Sequence, residues 1–72
     1  MREIEIGDNV EVTGDTQDYI LNDPARIYRG TVIGKDNGQL LLRLEEPVAL
    51  GPGQFREASV HEAKARILSP KA

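Results

Sequence analysis

Few side chains in this sequence are equipped for chemistry, and their spacing limits what each can do. There is one histidine, His61, and no cysteine. Nucleophilic catalysis needs a nucleophile beside a base, with a third group to orient the base. Ser59 stands close to His61, but Ser59-Val60-His61-Glu62 has the form of a capping box, serine followed three residues later by glutamate. Ser59 therefore reads as the cap of a helical turn, His61 as a surface residue, and the chain as one without catalytic residues. Transition-metal sites draw on Cys and His, which are almost missing. Calcium loops need closely alternating oxygen ligands ending in glutamate, a spacing that Asp15, Asp18 and Asp23 lack. These three read instead as turn formers in a polar loop. Glu45 and Glu46 are neighbours on an expected strand, so they point to opposite faces and do not form a carboxylate pair. Gly51-Pro52-Gly53 is followed by neither Lys-Ser nor Lys-Thr and opens no helix, so it is a turn rather than a phosphate cradle. Neither a metal nor a cofactor is expected.

Binding is the chemistry left, and two patterns compete for it. Arg26, Tyr28, Arg29 and Lys35 cluster with Arg43 around one hairpin, while Phe55, Arg56, Lys64 and Arg66 lie in the last third. A stacking aromatic beside cations is what RNA or single-strand binding uses. Against that reading, the sequence holds two Tyr, one Phe and no Trp, Phe55 is wanted by a core, and the net charge is −3, where phosphate-binding surfaces usually carry a basic excess. The competing pattern is a protein-binding or self-association surface formed by Ile33, Leu41 and Arg43 on the outer face of the same hairpin. Apolar side chains joined in one exposed patch mark a contact surface. A loop such as Tyr19-Ile20-Leu21 or Val48-Ala49-Leu50 could instead cover them.

That surface exists only if the hairpin has the right register. Two runs rich in apolar and β-branched residues flank Asp36-Asn37-Gly38, a strong hairpin signal. A two-residue Asn37-Gly38 turn would set Val32 opposite Arg43, apolar against polar all along the ladder. A three-residue loop Asp36-Asn37-Gly38, with Gly38 left-handed in a bulge, sets Val32 opposite Leu42, Gly34 opposite Leu40 and Gly30 opposite Leu44. On the other face it sets Ile33 against Leu41 and Arg29 against Glu45. The second register is expected, because a one-residue slip turns the whole apolar set to the wrong side.

The remaining elements follow in order. Ile4, Ile6, Val10 and Val12 occupy even positions with Glu5 and Glu11 between them, which predicts a strand with one inward face, broken at Gly7-Asp8-Asn9. Residues 13–24 form a long polar loop, the expected mobile segment, whose middle can fold back on the body. The hairpin is expected to end near Pro47, which cannot donate to a ladder. A second loop then runs through residues 48–53 and a short strand through residues 54–60. One helical turn precedes a last strand in which Ala63, Ala65 and Ile67 alternate with Lys64, Arg66 and Leu68. The chain end from Ser69 onward is expected to fray.

Five short strands, a long first loop, a central hairpin and a helical turn before the last strand resemble the SH3-like small barrels. The opening Ile6-Gly7-Asp8-Asn9-Val10-Glu11-Val12 is similar to their Gly-Asp-x-Val-x-Val start, and Arg29-Gly30-Thr31-Val32 to their second-strand Gly-x-Val. The resemblance implies an all-β, SH3-like five-stranded barrel and a habit of binding. In translation and transcription factors of the KOW type, such barrels bind RNA or protein. It does not choose a ligand.

The 72 residues have room for one domain, spanning 1–72. Below roughly 70–80 residues a single core seldom supplies more than about 3–5 kcal/mol, and no disulfide is available to staple it. The opening Met1-Arg2-Glu3-Ile4-Glu5 lacks an apolar run of signal-peptide length, and no stretch is apolar and long enough to span a membrane as a helix. A cytoplasmic protein without a membrane partner is the default expectation.

Overall fold

The protein is described over residues 3–69 from a computed structural model. It is all-β, with strands β1 (Asn9–Thr13), β2 (Ile27–Asp36), β3 (Gln39–Leu50), β4 (Gly53–His61) and β5 (Ala65–Ser69), and one 3₁₀ turn, Glu62–Lys64, before β5. The strands form one antiparallel sheet in the order β4-β3-β2-β1-β5, open at β4 and β5. Among the described residues, no helix is long and apolar enough to cross a membrane. Of the chain end expected to fray, Ser69 closes β5 opposite Asn9, and residues 70–72 lie outside the described residues.

Alternation builds one core. Val10 and Val12 of β1, Tyr28 and Val32 of β2, Leu40, Leu42, Leu44 and Val48 of β3, and Ala58 and Val60 of β4 are buried in a single cluster with Leu21 of the first loop. Each large apolar side chain so buried is worth roughly 1.5–3 kcal/mol relative to exposure. The first strand is shorter than its pattern implies. Ile6 is exposed, because Glu5 to Asp8 close a turn: the Asp8 N–H donates to the Glu5 carbonyl at 3.1 Å, and the Glu5 N–H to Asp8 Oδ2 at 2.8 Å. Asp8 is fully buried in that turn.

The central hairpin corrects the expected register in its outer half and keeps it in its inner half. Asn37 and Gly38 alone make the turn, with φ of 53° and 83°, the pair of positive values that a two-residue type I′ hairpin requires. Asp36 therefore pairs with Gln39, Lys35 with Leu40 and Gly34 with Leu41; below them Val32 pairs with Leu42, Thr31 with Arg43 and Gly30 with Leu44. The register changes between Val32 and Gly34, so the extra residue is Ile33, a bulge within the strand rather than in the loop. The expected Gly34–Leu40 and Ile33–Leu41 pairs do not form. A second bulge in β5 has the same form: Asn9 pairs with Ser69 and Val10 with Ile67, leaving Leu68 over.

Pro47 does not end β3. The β3–β4 ladder breaks between Arg43 and Val48 and resumes as Val48–Phe55, Ala49–Gln54 and Leu50–Gly53, so the proline sits at the irregularity, where its missing N–H costs no ladder bond. The stretch expected as a loop is strand up to a tight turn at Gly51-Pro52, with Gly51 at φ 58°. The helical turn is capped by His61, whose Nδ1 accepts the Ala63 N–H at 3.1 Å. Ser59, the expected cap, lies in β4 and donates to Gln39 Oε1 at 3.4 Å.

Residues 13–24 are tied down rather than loose. Asp15 Oδ1 accepts the Gln17 N–H, Asp18 Oδ1 accepts those of Ile20 and Leu21, and Asp23 Oδ1 accepts that of Ala25. The three aspartates thus act as the turn formers that the composition implied. Leu21 drops into the core, and Tyr19 meets Phe55 edge-to-face at 6.1 Å.

Gly30 leaves no room for a side chain between β2 and β3: a Cβ there would lie 2.6 Å from the Arg43 carbonyl oxygen. Gly30→Ala is expected to destabilise the protein by about 1–3 kcal/mol. Gly53→Ala, whose Cβ would meet nothing nearer than 3.8 Å, should stay within about 0.5 kcal/mol. Urea midpoints of the two variants check this, and equal midpoints would contradict it.

Candidate interaction surface

The outward face of the sheet carries the candidate residues. On β3, the alternation that buries Leu40, Leu42 and Leu44 turns Leu41 and Arg43 outward. Leu41 is 39 % exposed and borders a shallow depression with Gly34, Asn37, Gln39 and Ser59. Gly34 lies directly beside it, where a Cβ would be 3.3 Å from that of Leu41. Ile33, the bulge residue, is half-buried and does not line that depression. The first loop is anchored elsewhere, through Leu21 in the core and Tyr19 on Phe55.

Arg43 belongs to a second depression, lined also by Asn9, Arg29, Thr31, Glu45 and Leu68. Cross-strand pairing aligns its charges. Glu11 on β1 sits opposite Arg29 on β2 and Arg66 on β5, accepts a hydrogen bond from the Arg66 guanidinium and lies 3.9 Å from Arg29 Nε. Arg43 faces Glu57 across the β3–β4 ladder at 4.0 Å. Arg29 was expected to pair with Glu45; its ion pair is with Glu11 on its other side. Thr31 Oγ1 donates to Asn9 Oδ1 at 2.8 Å between these arginines.

The nucleic-acid candidates do not make one edge. Arg26, Tyr28 and Arg29 meet at a cleft where β2 and β3 part beyond the Gly30–Leu44 pair, facing Glu45 and Glu46. Tyr28 is buried, its hydroxyl accepts the Asp23 N–H at 3.3 Å, and the Arg26 guanidinium lies 4.7 Å above its ring. The ring offers no free face for base stacking. Arg26 also reaches Glu46 at 3.9 Å. Lys35 sits at the other end of the hairpin, where its Nζ donates to the Ile4 carbonyl at 3.0 Å and lies 3.6 Å from Glu62.

Sequence reasoning missed two residues. Glu11 reads as an ordinary outward strand residue, but registers separated by the long loop bring two arginines to it. Asp8 reads as a turn former, and only the fold shows its carboxylate enclosed. Among the described residues, no group of His, Cys, Asp and Glu could hold a metal ion.

The first loop is fastened to the 3₁₀ turn by Lys64 Nζ and Asp15 Oδ2 at 2.9 Å. The Gln17 backbone N–H, and after it the Lys64 ammonium, hold the Asp15 carboxyl below the ordinary value of 3.8; the same carboxylate raises Lys64. With the folded value lowered, the contribution of Asp15 is complete above the unfolded value and is lost as pH falls through the folded one. Carbon-detected titration by nuclear magnetic resonance should place Asp15 below 3.8, and Lys64→Ala should raise it only in part, since the Gln17 donor remains. An Asp15 midpoint at or above the ordinary value would contradict this geometry.

No protein-family model matches this chain, and the comparisons with curated proteins and with solved structures give no match.

Proposed function

We propose that the chain is a non-catalytic protein-binding module, or a small subunit of a larger complex, that docks a protein or a second copy of itself through the outer face of its central hairpin. The strand order β4-β3-β2-β1-β5, with one 3₁₀ turn before β5, supports reading the architecture as an SH3-like five-stranded barrel. The observation that carries the docking reading is Leu41, apolar and exposed beside a glycine, one outward position from Arg43 on the same strand. The proposal includes Ile33, which is half-buried and lies outside the depression that Leu41 borders. The nucleic-acid alternative, through Arg26, Tyr28, Arg29 and Lys35, is less well supported, because the ring is buried and the lysine is held at the far end.

Leu41→Lys is expected to leave the fold intact, because the side chain already reaches solvent, and to weaken association tenfold or more, as loss of an anchor worth about 2 kcal/mol does. Amide spectra check the fold, and light scattering with capture from a cell lysate reads the association. A wild-type protein that is strictly monomeric and captures nothing, or a variant that associates as well as wild type, overturns the reading.

A further inference from the structure

We infer that the docking face takes an acidic segment of its partner, with Arg29 and Arg43 receiving carboxylates and Leu68 receiving an apolar side chain next to them. The inference rests on reading this face as a docking surface and names the chemistry of what docks.

Charge around Glu11 is sorted by depth. The side chains of Arg29 and Arg66 are 59 % and 79 % exposed, whereas that of Glu11, which neutralises both, is 9 % exposed; Arg43 is 67 % exposed beside Glu57, which is 51 % exposed. Glu11 is sunk in the sheet with two arginines above it. A sequence with a net charge of −3 therefore presents guanidinium groups to whatever approaches here.

Arg29 and Arg43 flank Thr31, the one next to it but one on β2 and the other its cross-strand partner. Both line the depression that Leu68 enters, and Leu68 is 45 % exposed there because the β5 bulge leaves it without a partner. Arg29 and Arg43 lie at 3.9 and 4.0 Å from their carboxylates, too long for a hydrogen bond, so each keeps donors for a second anion. Planar guanidiniums suit carboxylates by their paired donors. Glu45 at the rim and Glu57 beside Arg43 oppose a dense polyanion more than a segment in which acids alternate with apolar residues. Among the described residues, none that lines this depression is an aromatic on which a base could stack. These features favour a protein segment over RNA.

The test uses the full chain, isotope-labelled, titrated with a short peptide of repeated Asp-Leu. Parallel titrations use a Lys-Leu peptide and a mixed-sequence single-stranded RNA. The expected result is amide shifts centred on Arg29, Thr31, Arg43 and Leu68 with the acidic peptide, weaker shifts with the other two, and a loss of about tenfold in affinity in Arg43→Gln. Arg29→Gln provides a second variant, with amide spectra to show that each remains folded. No shift at these residues, equal binding of the basic peptide, tighter binding of RNA, or undiminished affinity in both folded variants overturns the inference. If Leu41→Lys abolishes partner capture while the acidic peptide fails to bind, the docking reading stands and this assignment of the partner falls.

Discussion

A strand can present only one alternation, and the central hairpin has to reconcile two. The tight Asn37-Gly38 turn dictates pairs such as Asp36 with Gln39, and a regular ladder continued from there would set Val32 against Arg43. The core needs Val32 against Leu42. A one-residue mismatch cannot be spread along a pleated ladder, since each slip inverts every side chain beyond it. It is absorbed at one point, where Ile33 is left unopposed. From that bulge follow the burial of Val32, Leu40 and Leu42, the outward setting of Leu41 and Arg43, and the turn of Lys35 toward the Ile4 carbonyl.

The same economy of faces shapes the charge. Val10 and Val12 of β1, Tyr28 and Val32 of β2, and Leu40, Leu42, Leu44 and Val48 of β3 go to the core, so Glu11, Arg29 and Arg43 take the other face, and cross-strand pairing brings opposite charges together there. Exposed ion pairs contribute little each, usually below about 1 kcal/mol. Glu11 differs in being enclosed between Arg29 and Arg66. Removing one partner of such a group strands the other, which makes the row a register constraint. An acidic chain with an arginine-topped sheet face is the consequence.

Much of this was legible in the residues. The five strands, the helical turn before the last one, the turn-forming aspartates and the inward set on β3 follow from alternation, Asn-Gly and Asx chemistry, all of which are local. The bulge was placed in the loop instead of at Ile33, because both positions satisfy the inner pairs and differ only from Ile33 to Asp36. Pro47 was read as a terminus, although a proline at a ladder break is equally allowed. His61 rather than Ser59 caps the turn, since β4 runs two residues past Ser59. The outward setting of Leu41 and Arg43 was legible in the alternation of β3. The burial of Glu11 was not, because it depends on β1 meeting β2 and β5 across distant stretches of chain.

Whether the outer face carries Leu41 and Arg43 as described depends on the hairpin register, and cross-strand nuclear Overhauser effects report that register directly. The structure requires contacts joining Asp36 with Gln39 and Gly34 with Leu41 near the turn, and Val32 with Leu42 below it, with Ile33 lacking a partner across the ladder. Contacts joining Gly34 with Leu40 and Ile33 with Leu41 would contradict it and replace the bulge with a loop that carries the extra residue.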